Sequence, residues 1–212
     1  QISTTSVGLM PNVIDGGGLL SIAISGRYAY VGSNAFVTTS GDVVISSGTI
    51  SVVDISNPAA PREIATTSIR EPDSLYVSGH YLYVVTYHKN TFAVYDIANP
   101  LSPVLISEQS FNGILSFPIS VYVSGRFAYL SISPTTNTGA IAVMDVSNPY
   151  NPVLVATSSL YSGDSRDVYV SGRYAYAANY SSNTISVVDV SNPFAPVQVA
   201  TTSVGTNPVS IF

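Results

Sequence analysis

SGRYAYAANYSSNTISVVDVSNPFAPVQVATTS, residues 171–203, decides the fold, because its two halves recur three times upstream. The opening SGRYAY answers to SGRYAY at 25–30, SGHYLY at 78–83 and SGRFAY at 124–129, at spacings of 53, 46 and 47 residues. The centre, VVDVSNPFAP at 187–196, answers to VVDISNPAAP at 52–61, VYDIANPLSP at 94–103 and VMDVSNPYNP at 143–152. Two motifs in constant order at such a period mark an array of supersecondary units.

Between the motifs β-branched and aromatic residues dominate, Gly and Pro fall at regular boundaries, and no stretch keeps an i, i+3, i+4, i+7 pattern, so almost no helix is expected. The last unit holds four strands: DVYVS (167–171), RYAYAAN (173–179), TISVVDVS (184–191) and PVQVATTS (196–203). The third puts Ile185, Val187 and Asp189 on one face and Ser186, Val188 and Val190 on the other, so both faces are largely apolar. A sheet covered by a neighbouring sheet on each side requires this; a two-sheet sandwich, the second reading, would show a cleaner polar face. The expected fold is therefore all-β, a β-propeller of four-stranded antiparallel blades. Blade 1 is expected at 19–69, blade 2 at 74–110, blade 3 at 119–160 and blade 4 at 167–203. QISTTSVG at 1–8 matches ATTSVG at 200–205 as the end of an outer strand, and residues 208–212 match the start of a new inner strand. Four complete blades with partial strands at both ends form a single domain or an excerpt of a larger one, whose open strand edges can self-associate.

The run from SGRYAY through VVDVSNPFAP resembles the LVIVD repeat of bacterial and archaeal β-propellers. AYAANYSSNTISVVDVS at 175–191 is also similar to the YVTN surface-layer propeller repeats, but the SNPxxP element favours LVIVD. The resemblance spans about 190 of the 212 residues. It implies the propeller fold and an extracellular or cell-surface setting, without a particular chemistry.

Hydrophobic residues make up 46% of the chain, enough for a core, while charged residues are 9% against roughly 25% in an average domain. The formal net charge of −5 argues against nucleic acid. With no Cys and only His80 and His88, neither a disulfide framework nor a thiolate or His-rich metal site is expected, and no cofactor. No apolar run approaches 18 residues, and the first residues show no targeting segment, so membrane insertion is not expected. Poverty in Lys and Glu with wealth in Ser, Thr, Asn, Tyr and Val fits a bacterial surface or secreted protein.

The repeated carboxylates Asp54, Asp96, Asp145 and Asp189 suggest a metal ring at first sight. Antiparallel order instead sets them beside Arg27, His80, Arg126 and Arg173, so an ion pair or Asx-type cap in each blade is expected. Tyr28, Tyr30, Tyr174 and Tyr176 recur with the strands and read as core. GDSR at 163–166 lacks a GxSxG elbow and a placed His, and no phosphate-binding or zinc-protease motif is present.

Strand order places the Ser-Gly and Asn-Pro connections at one end of every blade. The other end carries segments of unequal length, at 32–48, 87–90, 133–139 and 180–183, with inter-blade rims at 8–18, 70–73, 111–118 and 161–166. Once the repeated Asp and Arg positions and Arg62 are set aside, nine of the 11 remaining formal charges fall at this variable end, six acids and three bases. Irregular loops on a rigid scaffold are where recognition concentrates. The expected binding residues are Asp42, Arg70, Asp73, His88, Lys89, Asp164, Arg166 and Tyr180, with Phe36, Tyr87, Phe111 and Tyr161 as further aromatic candidates. The resulting expectation is a noncatalytic cell-surface or secreted module that binds a protein or glycan through this face. Two alternatives stand beside it: a structural repeat array that self-associates through strand edges, and a hydrolase or lyase-type enzyme with an axial site.

Overall fold

The computed structural model describes residues 19–39, 42–69, 71–111, 117–133, 139–160 and 163–212. The described residues contain no helix and form four antiparallel four-stranded sheets, each in sequential order. Blade 1 comprises β1 (Leu19–Ser25), β2 (Tyr28–Thr39), β3 (Asp42–Asp54) and β4 (Arg62–Ile69). Blade 2 comprises β5 (Ser74–Ser78), β6 (Tyr81–Thr86), β7 (Thr91–Asp96) and β8 (Val104–Ser110). Blade 3 comprises β9 (Pro118–Ser124), β10 (Phe127–Ile132), β11 (Ala140–Asp145) and β12 (Val153–Ser159). Blade 4 comprises β13 (Ser165–Ser171), β14 (Tyr174–Asn179), β15 (Thr184–Asp189) and β16 (Val197–Ser203).

Two local devices set every blade's register. The first is a two-residue turn whose leading residue is a glycine at φ between +56° and +60°, namely Gly26, Gly79, Gly125 and Gly172. That conformation matches the twist of antiparallel strands and fixes pairs such as Ser25↔Tyr28 and Ser171↔Tyr174. The second is the Asn-Pro element, where tandem side-chain caps close the turn. In blade 3 Asp145 accepts the amide of Ser147 at 2.9 Å and Asn148 that of Tyr150 at 3.2 Å; the other blades repeat both bonds.

The second carboxylate oxygen of the same Asp takes the ion pair. Arg27 reaches Asp54 at 2.5 Å, Arg126 reaches Asp145 at 2.8 Å, and Arg173 contacts Asp189. One residue thus serves as both cap and partner. Blade 2 keeps the cap alone: Asp96 accepts the Ala98 amide, and among the described residues His80 forms no ion pair with it. The imidazole is too short to cover the distance that an arginine spans, and only the His80 carbonyl is engaged, by the amide of Ile97.

Apolar side chains form one core per blade junction. Tyr30, Ile50 and Val52 meet Leu75, Leu82 and Ala93 between blades 1 and 2. Tyr83, Phe92 and Val94 meet Val121, Ala128 and Met144 between blades 2 and 3. Tyr129, Ile141 and Val143 meet Val168, Ala175 and Val188 between blades 3 and 4. In blades 2 and 3 the two-faced apolar strands are used as expected, each face filling a different junction.

One expectation about the margins needs revision. Residues 32–48 are largely ladder rather than loop, because β2 and β3 continue pairing out to Thr39↔Asp42; the β-branched run Val43, Val44, Ile45 suits a strand better than a turn. Residues 208–212 pair with no strand among the described residues. Residues 1–8 lie outside the described residues.

Candidate functional site at the variable end

The axis of the array is lined by the first strand of each blade. Ser21, Ser74, Ser120 and Asp167 occupy one equivalent repeat position there, each four residues before the Ser of the Ser-Gly turn. A cavity of about 800 Å³ opens over this row; Asp73, Arg166 and Val209 also line it, together with an apolar wall from blade 1 that includes Ile22, Val31 and Val53 and runs to Ile55 and Pro61 at the Asn-Pro end. Of the eight residues expected to bind, the structure brings Asp73 and Arg166 together on this cavity.

Asp73 is placed by the turn before β5. Its amide donates to the Val85 carbonyl at 3.0 Å, and its carboxylate accepts the Tyr87 amide at 2.5 Å. Burial pushes its carboxyl up to about 6, with the neighbouring Glu71 adding to the rise and the Tyr87 amide and His88 opposing it. Glu71 is itself only 1% exposed and adopts φ +53° directly before Pro72, a backbone region that both its side chain and the following proline disfavour. Its Oε2 lies 3.0 Å from Nδ1 of His88, though no well-aligned hydrogen bond reaches that oxygen. Tyr87 stacks on Phe117 at 4.6 Å and meets the His88 ring edge-on at 4.8 Å. His88 is therefore held between a buried carboxylate and an aromatic pair while half its side chain faces solvent.

Arg166 is fixed from blade 4. It donates through Nε at 2.9 Å and Nη2 at 2.7 Å to Asp164, and its guanidinium lies 5.0 Å over the Tyr180 ring. Burial raises the Asp164 carboxyl, but hydrogen bonds from the Ser181 hydroxyl and amide, with Arg166, bring it below its usual value. Both arginine nitrogens meet Oδ2 of Asp164 while Oδ1 accepts from Ser181, and this pair with the stacked ring fixes the arginine.

Other expected residues play other parts. Lys89 pairs with Glu108 on β8 at 2.5 Å, away from the cavity lining. Phe111 is 3% exposed inside the core between blades 2 and 3, so it is packing rather than recognition; the chain crossing from blade 2 to blade 3 tucks it inward. Asp42 opens β3, with its side chain outside the described residues, as is that of Phe36; Arg70 and Tyr161 lie outside them altogether. Ser165 of the GDSR run is fully buried and presents no nucleophile to solvent. Among the described residues no three His, Asp or Glu side chains converge in a metal-holding group.

The charge count at the variable end included Glu71 without naming it a binding residue, and it missed Phe117 and the axial hydroxyls. A signal was available: Pro-x-Ser recurs at 72–74, 118–120 and 208–210, with Ser-Arg-Asp at 165–167 in the same place.

The repeat geometry finds its counterpart in sequence: the LVIVD repeat matches residues 16–38, 43–67, 70–109, 119–158 and 162–203. The chain belongs to the LVIVD repeat family. Its first two matches are the halves of blade 1, divided where the long β2–β3 hairpin is inserted. Among curated proteins none matches this LVIVD chain. Among solved structures it is similar to the periplasmic gluconolactonase of Pseudomonas aeruginosa, with 15% identity and a TM-score of 0.68 over 87% of this chain. The LVIVD chain spans 57% of that protein's length. At this identity the likeness is one of fold.

Proposed function

We propose that the protein is a noncatalytic LVIVD-repeat module of the cell surface or the extracellular space that binds a protein or glycan through its variable end. One observation carries the reading: Asp73 and the clamped Arg166, from different blades, face one axial cavity, while the opposite end repeats the same two turns in every blade. A carboxylate and a guanidinium on one concave wall suit a hydroxyl-rich ligand or a peptide backbone with mixed charges. The extracellular setting is supported by a surface low in charge and by the periplasmic location of the protein it resembles in fold.

A second reading is hydrolysis at the same cavity. Asp73 favours it, because a carboxyl at about 6 is suited to moving a proton near neutral pH, and the protein of similar fold is a gluconolactonase. Glycan-panel binding and gluconolactone hydrolysis, measured on the same preparations, separate the two. Glycan binding lost in Arg166→Ala and Asp73→Asn but kept in Tyr150→Ala, without turnover of the lactone, is the expected result. Lactone turnover abolished by Asp73→Asn would replace binding by catalysis, and equal losses from Tyr150→Ala would move the site to the other end.

A further inference from the structure

Tyr76, Tyr122 and Tyr169 occupy one repeat position on the inner strands β5, β9 and β13, two residues after Ser74, Ser120 and Asp167. Each pairs in register with a second-strand tyrosine, Tyr83, Tyr129 and Tyr176 in turn, whereas blade 1 has Ala23 at this place. Side chains from three blades therefore meet. The ring centroids of Tyr76 and Tyr122 lie 4.9 Å apart and those of Tyr122 and Tyr169 5.0 Å, with the ring planes inclined at 54° and 67°. Among the described residues no other two tyrosine rings touch. Tyr76 packs on the core between blades 2 and 3, Tyr122 on that between blades 3 and 4, and all three rings stay half-buried. None of them lines the axial cavity. Burial, and next to it hydrogen bonding with Tyr76 and Tyr169, pushes the Tyr122 phenol up to about 12, so its hydroxyl stands neutral between two others.

The rest of the composition directs oxidation to these rings. The chain has no Cys and no Trp, and of its two Met, Met144 is fully buried while Met10 lies outside the described residues. One-electron oxidation then falls on tyrosine. Tyr30, Tyr83, Tyr95 and Tyr129 are sealed in the junctions. Tyr150 is 60% exposed, but it touches no other tyrosine ring.

We infer that the row of Tyr76, Tyr122 and Tyr169 is an oxidative modification site, at which a small one-electron oxidant of the kind formed from peroxide couples Tyr122 to one of its neighbours and ties blade 3 covalently to blade 2 or blade 4. Each of two adjacent phenols gives one electron to the oxidant and its hydroxyl proton to solvent. The two phenoxyl radicals then form a carbon–carbon bond between ring positions ortho to the oxygens, and the hydrogen on each of those carbons moves to its oxygen, restoring two phenols. The chain loses two hydrogen atoms in all, and the oxidant takes up two electrons. Rings already in contact couple far faster than rings that must meet by diffusion. The Tyr122 hydroxyl, bonded to its neighbours, also has a path for its proton. The new bond closes a loop from position 76 to 122 or from 122 to 169, which restricts the unfolded chain as a disulfide of that span does.

The test exposes dilute protein to ruthenium tris-bipyridyl, light and a limiting amount of persulfate, separates monomer from dimer and maps the linked peptides by mass spectrometry. The expected product is a monomer in which the β9 peptide is joined to the β5 or the β13 peptide, with a raised melting temperature. Tyr122→Phe lowers the yield of intramolecular link by about tenfold or more, whereas Tyr76→Phe and Tyr169→Phe each redirect it to the remaining neighbour. Tyr76→Phe combined with Tyr169→Phe abolishes it with Tyr122 intact, which answers for any loss of folding in Tyr122→Phe. Intermolecular dimers through Tyr150 as the main product would show that exposure rather than ring contact decides, and would overturn the inference. So would an intramolecular link whose yield is the same in Tyr122→Phe. A link at the expected peptides that leaves the melting temperature unchanged removes the tie between blades.

Discussion

At the residue scale, one side chain often does two jobs here. The repeated Asp caps its turn with one oxygen and pairs with arginine through the other, which is why the sequence supports both readings of it at once. Asp73 is the opposite case, a carboxylate that folding places where its charge is disfavoured. Its carboxyl is pushed up to about 6 from 3.8, so the folded protein holds that proton more tightly than the unfolded chain. The neutral form carries no penalty below about 4; the cost of ionisation grows as pH rises towards 6 and is constant above. Asp73→Asn, which retains an oxygen for the Tyr87 amide, is therefore expected to be more stable than the parent at pH 7. A shift of this size corresponds to about 3 kcal/mol, which partial exposure reduces to about 1 kcal/mol. Denaturant melts at pH 7 and pH 4 check it: the gain should vanish at pH 4, and a gain equal at both would show that burial of the charge is not the cause.

At the element scale, the hairpin turns and the inter-blade crossings make different demands on glycine. Gly172 sits at φ +59° with open space where a Cβ would stand, so Gly172→Ala costs only backbone conformation, about 1 kcal/mol. Gly48 has ordinary space requirements of another kind: a Cβ there would lie 2.5 Å from the Ser33 carbonyl oxygen and 2.8 Å from Pro72. Gly48→Ala is expected to cost about 2–3 kcal/mol through overpacking. Equilibrium unfolding of the two variants should rank them in that order, and the reverse ranking would mean that the Pro72 crossing yields easily. The Ser-Gly turn was legible because φ above zero selects glycine at short range. Gly48 was not, because its constraint comes from the Ser33 carbonyl and Pro72, 15 and 24 positions away.

At the scale of the whole molecule, stability is distributed by junction rather than by blade. Ile141 and Ile185 hold the same place in β11 and β15, yet Ile141 is fully buried between blades 3 and 4 while Ile185 lies half-covered on the outer face. Ile141→Ala is expected to cost about 3–4 kcal/mol and Ile185→Ala about 1–2 kcal/mol. Thermal or denaturant unfolding measures both. Equal losses would indicate that the outer face of blade 4 is already covered in solution.

The sequence by itself determined the strands, their order, the turns and the two-faced apolar pattern, because each rests on chemistry within a few residues: a left-handed glycine, an Asx cap, alternation along a strand. The period then dictated blades. Only the tertiary structure decided which charges meet. Lys89 turned to Glu108, His88 to Glu71, and Arg166 to Asp164, while Asp73 and Arg166 came to share a cavity across two blade junctions. Phe111 entered the core, and His80, one residue before the Tyr81 that pairs with Asp96, formed no ion pair with it. These outcomes depend on side-chain reach and on blade-to-blade rotation, quantities that no spacing in a one-dimensional chain records.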